Sequence, residues 1–541
     1  MHWNYGDIYD AIAPHITERP ALIHAEHTFT WADLDRRSNN LARRFLEVPG
    51  VKHGAKVAFY LRNCPAYSET AVATFKARLV HVNVNYRYVD DELWYIFDNS
   101  DAEIVVYNAE FAEHVAHLRP RLPKVRLFLE IGETSATRSG DAHPVNGFAV
   151  DYATLAGDGD GTPLGLERSG DDLMFIYTGG TTGMPKGVMW RQEDRLSVYG
   201  GRGDVNSPED YVARALQRPP ARLLPGCPMM HSTGFTTVIN CLAQGGAIVT
   251  LEERHFDPRT FWEAVQRHRV TQTAIVGDAF ARPLLNELEE NPGRYDLSSL
   301  RSIVSAGVMW SEEVKRGILK HLPDLTLVDT FGSSEGPSLG NAVIRAGDLG
   351  REDRTARFRI GEGCKVFTEN FEEVTPGSGV AGMIAKSGHL PLGYYKDPAR
   401  TKTLLPVIDG VRYSIPGDWC TVEADGTITL LGRGSNCINT GGEKVFPEEV
   451  EEALKKHPEV HDALVVGLAD TRWGQAVTGV VQLERGARLD ETGLRDFVRR
   501  YIADYKVPKR IVAMPDLGRA ANGKADYAKV RAFAEEALGE R

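Results

Sequence analysis

Two stretches of this chain carry residue types at spacings that could do chemistry. The first is Tyr177-Thr-Gly-Gly-Thr-Thr-Gly-Met-Pro-Lys186-Gly187, with four glycines and three threonines behind a strand-like run. Glycine lets successive backbone N–H groups turn toward one anion, and the hydroxyls and the lysine add donors, so the segment reads as a phosphate cradle. It is not the P-loop of kinases and GTPases, because Pro185 and Gly187 stand where that motif needs Gly and Ser or Thr. A glycine-rich strand-to-helix turn with a solvated lysine is the plainer alternative. The second stretch, Gly332-Ser-Ser334-Glu-Gly336, satisfies G-x-S-x-G and would make Ser334 the nucleophile of a serine hydrolase. No H-G-G-G-type oxyanion segment accompanies it, and no His or Asp is marked as its partner. Glu335 suggests a different chemistry, since a carboxylate beside hydroxyls can hold Mg²⁺ together with substrate phosphates.

Elements must position these residues, and the chain alternates helix-period and strand-like segments. Leu34, Leu41, Ala42 and Phe45 share one face of a helix over Trp31 to Leu46 that Pro49-Gly50 closes. Strands are expected at 57–60, 80–84 and 104–107, with Val80, Val82 and Val84 alternating with polar residues, and helices around 71–77 and 93–97. That rhythm is α/β with a largely buried sheet. Residues 132–170, rich in Gly, Ser, Asp and Thr, read as loop leading into a strand at 173–177. Within them Asp158-Gly-Asp160-Gly lacks the remaining calcium ligands and reads as a solvated turn. Residues 191–222 read as a polar surface excursion with one amphipathic piece, Tyr211 to Leu216. After Gly432-Arg433-Gly434 the pattern becomes a small α+β unit. Pro447 opens a helix with Glu448 and Glu449 in its first turn and i,i+4 pairs Glu451/Lys455 and Glu452/Lys456; strands at 463–468 and 477–483 and a helix through Leu494, Phe497, Val498 and Tyr501 follow.

At 541 residues the chain exceeds one core, and its 42% hydrophobic and 25% charged residues are those of a globular protein. Sixty-three Lys plus Arg against 74 Asp plus Glu leave a net charge of −11, the wrong sign for a surface that attracts nucleic acid or anionic membrane. A local basic pocket for a small anion is still open. Six cysteines without a C-x-x-C pair suggest neither zinc nor a disulfide framework, and a reducing cytoplasm fits them. The first ten residues hold no apolar signal region, and no run has the roughly 18 apolar residues of a membrane span.

Six motifs in order resemble the adenylate-forming superfamily of acyl-CoA synthetases, firefly-type luciferases and peptide-synthetase adenylation domains. They are YTGGTTGMPKG at 177–187, PMMHSTG at 228–234, TFGSSE at 330–335, GYYKDP at 393–398, GDW at 417–419 with GRGSNCINTGGEKV at 432–445, and NGK at 522–524. The match runs from Phe29-Thr30-Trp31 through Lys524, and GDAFARPLL at 277–285 most resembles bacterial fatty-acyl and steroid side-chain CoA ligases. The resemblance implies a large N-terminal α/β region of packed subdomains, 1–433, and a small mobile C-terminal α+β domain, 434–541, with ATP, Mg²⁺ and coenzyme A as cofactor and co-substrates and a carboxylic acid as substrate. A second copy of the chain is carried as a further partner.

Residue by residue, the resemblance implies that Thr178, Gly179, Gly180, Thr181, Thr182, Gly183 and Lys186 wrap the β- and γ-phosphates. Ser334 and Glu335 would contact the α-phosphate and Mg²⁺, and Phe331 would lie against adenine. Gly307, Asp329, Thr330 and Gly332 complete the nucleotide set, with Asp418 and Arg433 on the ribose. His231 would stand at the acyl entrance, Lys524 would bridge carboxylate and α-phosphate, and Gly441, Gly442 and Glu443 would line the pantetheine path. Taken singly, Asp418 could cap a turn, Arg433 and Lys524 could be solvated, and His231 could be structural. The acid pocket is expected to draw on 231–234, 275–278 and 305–307, with Asp278 either recognising a polar substituent or capping a turn.

Two positions depart from the family. Gly179 stands where serine is common, which removes a hydroxyl, and Ser435 stands at the hinge position usually held by Asp or Lys. The function implied is acyl-CoA ligation on a medium, long or bulky apolar acid. The alternatives are adenylation with another acid or acceptor (carrier protein, amine, or nitrite activation for diazotisation) and a serine hydrolase using Ser334.

Overall fold

The computed structural model describes residues 3–88, 90–132, 147–178, 184–199, 205–308, 310–348, 357–440, 443–470, 474–502, 504–519 and 525–539. Its fold is mixed α/β, and two large sheets dominate the part up to Arg433. One has eight strands, with the parallel set Lys56–Tyr60, Val80–Asn83, Ala102–Asn108 and Leu127–Ile131 at its centre. The other has 13 strands. Its parallel centre runs Ala247–Thr250, Arg222–Pro225, Gln272–Ile275, Ser302–Ala306 and Thr326–Phe331, and antiparallel strands extend it on the far side of Thr326–Phe331.

Between the sheets lies a core holding Trp31, Tyr67, Trp190 and Phe235. Helix Trp31–Glu47 enters it from a capping box in which Thr30 and Asp33 satisfy each other's backbone N–H groups. Strand Val80–Asn83 departs from the alternation expected: His81 and Asn83 are as buried as the valines, because helices and sheet cover both faces of a parallel sheet.

Two expectations are overturned. The supposed loop 132–170 contains helix Tyr152–Gly157, started by the Asp151 carboxylate accepting from Thr154 N at 2.7 Å. The supposed surface excursion contains two helices, Gln192–Tyr199 and Pro208–Gln217, and the first buries Gln192, Asp194, Arg195 and Leu196. Its polar composition misleads because the Arg195 guanidinium packs over the rings of Trp190 and Tyr199, at 5.3 and 4.6 Å, instead of facing water. Asp158 and Asp160 do form a surface turn, with Asp158 paired to Arg44 and Asp160 bonded to the Thr162 N–H at 2.9 Å.

Past Arg433 the chain builds a separate five-stranded sheet with its own cores around Val450, Val465, Val477 and Ile511 and around Val480, Val512 and Val530. Helix Pro447–Lys455 packs there. Its expected i,i+4 pairs are replaced: Glu451 is buried, accepting from Val465 N at 2.9 Å, and Lys455 pairs with Glu452 at 2.8 Å. Tyr501 lies beyond helix Glu491–Val498 and is exposed.

Candidate active site

Ligands of open parallel sheets sit beyond the carboxyl ends of the strands where strand order reverses. In the larger sheet Arg222–Pro225 is followed in sequence by its neighbour on one side, Ala247–Thr250, and then by its neighbour on the other, Gln272–Ile275. The segments leaving these strand ends are the motif segments: 228–234 after Pro225, 277–278 after Ile275, Gly307 after Ala306 and 332–335 after Phe331.

Strand Leu173–Thr178 from the smaller sheet reaches the same place. It pairs antiparallel with Lys186–Arg191, in register Thr178↔Lys186, so the glycine-rich segment joins two antiparallel strands and is not a strand-to-helix turn. Gly179, Gly180, Thr181, Thr182 and Gly183 lie outside the described residues. Gly393–Tyr394 adds a third strand to this ladder, and the Lys186 ammonium lies 5.8 Å over the Tyr394 ring.

Glu335 ties the two sheets together. Its Oε1 accepts from the Tyr394 hydroxyl at 3.0 Å and from the Thr178 hydroxyl at 3.5 Å, while its carbonyl accepts from Ser414 Oγ at 2.7 Å. Oε2 makes no hydrogen bond to the described residues, so a half-buried carboxylate oxygen is left beside the foot of the glycine-rich segment. One such oxygen next to hydroxyls suits Mg²⁺, which keeps several waters and takes one or two carboxylates. Among the described residues no cluster of three or more His, Cys, Asp or Glu could hold a metal.

Ser334 is buried, and its carbonyl accepts the Trp190 indole N–H at 3.0 Å. The segment turns from strand Thr326–Phe331 straight into antiparallel strand Gly340–Ile344, with Ser333 Oγ accepting from Glu335 N and Gly336 N. A nucleophile elbow needs strand, turn and helix, so the hydrolase reading of Ser334 fails on topology. Gly332 suits a crowded turn, because a Cβ there would lie 3.0 Å from the backbone atoms Gly336 O and Ser338 N, which would have to shift by a few tenths of an ångström.

Phe331 ends its strand half-buried, 5.7 Å from the Phe358 ring. Thr330 Oγ1 donates to Ser305 O at 2.9 Å, and Gly307, at φ +92°, is exposed, with Val276 Cγ1 3.9 Å from where a Cβ would stand. The Asp329 carboxylate is committed to Lys315 at 2.6 Å, so the side chain that sequence assigned to the nucleotide is spent on a buried ion pair. Burial raises its pKa, against the pull of Lys315. Asp418 and Arg433 are partners across one antiparallel ladder, which brings the two residues assigned to the ribose side by side in backbone.

His231 precedes helix Ser232–Leu242, which starts from its carbonyl, bonded to Phe235 N at 2.9 Å. Beneath that helix the His81 ring stacks on Phe235 at 3.8 Å and its Nδ1–H donates to Phe175 O at 3.1 Å. Burial pushes its pKa down to about 3, so the ring is neutral. Asp278 Oδ1 accepts from Ser311 N at 2.9 Å, and the residue lines a cavity of about 700 Å³ between the two parts of the chain. Arg62, Arg87, Arg254 and Arg282 line it from the large part, Lys455 and Arg519 from the small. Thr440↔Glu443 register brackets positions 441 and 442, which lie outside the described residues, as does Lys524. Sequence reasoning assigned no role to Tyr394 or Trp190. The GYYKDP motif was the available signal for Tyr394; nothing local marks Trp190.

This fold and site define a class. The ATP-bound MatB structure from Rhodopseudomonas palustris superposes with a TM-score of 0.81 at 22% identity, covering 99% of this chain and 100% of that one. The amide bond synthetase McbA from Marinactinospora thermotolerans gives 0.80 at 24%, covering 98% and 99%. These likenesses establish the fold. In sequence, residues 10–395 match the AMP-binding enzyme family and 449–524 its C-terminal domain, and the chain belongs to that family. It is 40% identical over 532 residues to the medium/long-chain-fatty-acid–CoA/3-oxocholest-4-en-26-oate–CoA ligase of Mycobacterium marinum, covering 97% of this chain and 95% of the relative. It is 39% identical to the 3-oxocholest-4-en-26-oate–CoA ligase of Rhodococcus rhodochrous over the same shares. Among the described residues no helix is long and apolar enough to cross a membrane.

Proposed function

We propose that this protein is an ATP-dependent acyl-CoA ligase acting on medium, long or bulky apolar carboxylic acids. The observation that carries the reading is the Glu335 carboxylate set between Thr178 and Tyr394, where the two large sheets meet beside the glycine-rich segment. A carboxylate is a poor electrophile, so the acid oxygen first attacks the α-phosphorus of ATP and pyrophosphate leaves. The CoA sulfur then attacks the activated carbonyl and AMP leaves.

In the first step the glycine-rich segment and Lys186 hold the β- and γ-phosphates, Ser334 faces the α-phosphate, and Phe331 lies against adenine. Thr330, Gly332 and Gly307 shape the nucleotide floor, and Asp418 with Arg433 holds the ribose. Glu335 would hold Mg²⁺, which when bound would neutralise phosphate charge. Lys524 draws two anions together and offsets the charge that develops on transfer. Residues 1–433 act as one unit and 434–541 as a second that turns about Ser435, withdrawing Lys524 and bringing Gly441, Gly442 and Glu443 to the same site. Arg87, exposed on the wall of the cavity with no ion pair among the described residues, is placed to meet CoA phosphates. The acid lies beside His231 and Gly307, and the backbone N–H groups of the glycine-rich segment compensate for the hydroxyl that Gly179 lacks. The six free cysteines fit work in the reducing cytoplasm.

Pyrophosphate release measured with and without acid and CoA tests the whole reading. It requires both ATP and acid, thioester appears only with CoA, and octanoate exceeds acetate by a wide margin. Comparable turnover of the two acids would remove the apolar assignment, and pyrophosphate release without thioester on any acid would remove CoA as acceptor. Light scattering on the same preparation decides between one copy and two.

A further inference from the structure

Residues 520–524, which end in Lys524, lie outside the described residues, but the chain on either side of them is fixed to the small part. On the near side, Leu517 is buried among Leu464, Val466 and Val530. Two residues on, the Arg519 guanidinium forks onto the Asp462 carboxylate, with Nε and Nη2 donating at 2.5 and 3.0 Å. On the far side, Tyr527 opens helix Tyr527–Gly539 and its hydroxyl donates to Glu451 Oε1 at 2.9 Å. Val530, one turn further along, enters the same core as Leu517.

The acceptors are themselves held. Asp462 follows a bulge in strand Val460–Asp470, and by two-residue alternation it shares a face with Leu464 and Val466, the face that Leu517 covers. Glu451 lies on the buried side of helix Pro447–Lys455, and the oxygen that meets Tyr527 also accepts from Val465 N at 2.9 Å. Burial raises its carboxyl to about 7, with Arg519 the first influence opposing that. A carboxylate in such a helix-on-sheet contact costs more than an apolar side chain of similar size. Here it fixes a hydroxyl three residues past Lys524.

We infer that Tyr527 with Glu451, and Arg519 with Asp462, are positioning residues that set where the Lys524 ammonium reaches in the adenylation step. None touches the reacting atoms. Each acts through Lys524: the span 519–527 is pinned at both ends, and releasing one end lets the lysine stray by about 1 Å, a displacement that can cost up to roughly 100-fold in rate. The inference rests on the reading of Lys524 given above and extends it to residues that no motif marks.

The test uses full-length Y527F, D462N, which leaves one acceptor oxygen for two guanidinium donors, and E451Q, with the first two also made in a K524A background. Pyrophosphate exchange falls about tenfold in Y527F and in D462N, while thioester formation from supplied acyl-adenylate and CoA stays near wild type. E451Q, whose amide oxygen still accepts from Tyr527 and Val465, keeps most of the exchange rate. In K524A, Y527F and D462N remove nothing further, as residues acting only through the lysine require. Losses that persist undiminished in K524A, losses shared equally by both half-reactions, or wild-type exchange in both single variants would overturn the clamp. K524A with wild-type exchange would take Lys524 out of the reaction and the clamp with it; the clamp fails alone only where K524A is itself defective.

Discussion

Replacing Glu335 with glutamine changes charge while keeping shape. The amide oxygen can still accept from Tyr394 and Thr178, bonds of 3.0 and 3.5 Å, so the link between the sheets is preserved. What is lost is one negative charge beside the expected cation. At an effective dielectric near 20, one carboxylate charge and a divalent cation about 4 Å apart attract by about 8 kcal/mol; the half exposure of Glu335 and the share of the cation's charge taken by phosphates and waters leave about 3 kcal/mol. That is a fall of roughly 100-fold in adenylation. Pyrophosphate exchange titrated with Mg²⁺ is the assay, and the loss shrinks as Mg²⁺ is raised. Tyr394→Phe is the control, because it removes one hydrogen bond, about 1 kcal/mol, and leaves the charge. Equal Mg²⁺ dependence in Glu335→Gln and wild type, with both melting alike, would refute the assignment of Glu335 to the cation.

Lys524→Ala is expected to lose adenylation by roughly 100- to 1,000-fold, yet to convert supplied acyl-adenylate and CoA at near wild-type rate; Gly441→Leu does the reverse, and pyrophosphate exchange beside thioester formation separates them. Gly234→Ala puts a Cβ 2.5 Å from Pro228 O, which forces the 228–234 backbone to shift and costs about 1 to 3 kcal/mol, read as a lower melting temperature with a raised KM for the acid. His81 has a folded-state pKa near 3 against about 6.5 unfolded, so the unfolded chain binds more protons between those values. Stability is therefore full above the unfolded pKa and falls as pH drops, by about 1.4 kcal/mol per pH unit within the window. Denaturant titrations of His81→Phe should lack that component of the slope.

The helix at 31–47 and the strands at 56–60 and 102–108 were legible because apolar spacing and local stops agree with the tertiary structure. Helix Gln192–Tyr199 was not, because its buried face is built from Gln192, Asp194 and Arg195, whose partners are ring faces and groups distant in sequence. The motif order exposed Glu335 and the glycine-rich segment. It could not show that Asp329 is taken by Lys315, 14 residues earlier, or that Trp190 holds the Ser334 carbonyl from 144 residues away. Those contacts are set by how strand ends meet, which no local pattern encodes.

The meeting of Thr178, Glu335 and Tyr394 has a consequence for the order of events as the chain is made. Thr178 and Glu335 are 157 residues apart, and Tyr394 lies a further 59 beyond. A growing chain that ends before Tyr394 can form its early parallel strands but has no third strand beside Lys186–Arg191 and lacks the shorter of the two hydroxyl bonds to Glu335. Domains fold as units during synthesis, and contacts this distant in sequence close last. Nucleotide affinity in a nested series of C-terminal truncations therefore stays off until residues 393–394 are included and is complete only once Asp418 and Arg433 follow, making ATP binding a reporter of the completed folding of residues 1–433 and not of partial assembly.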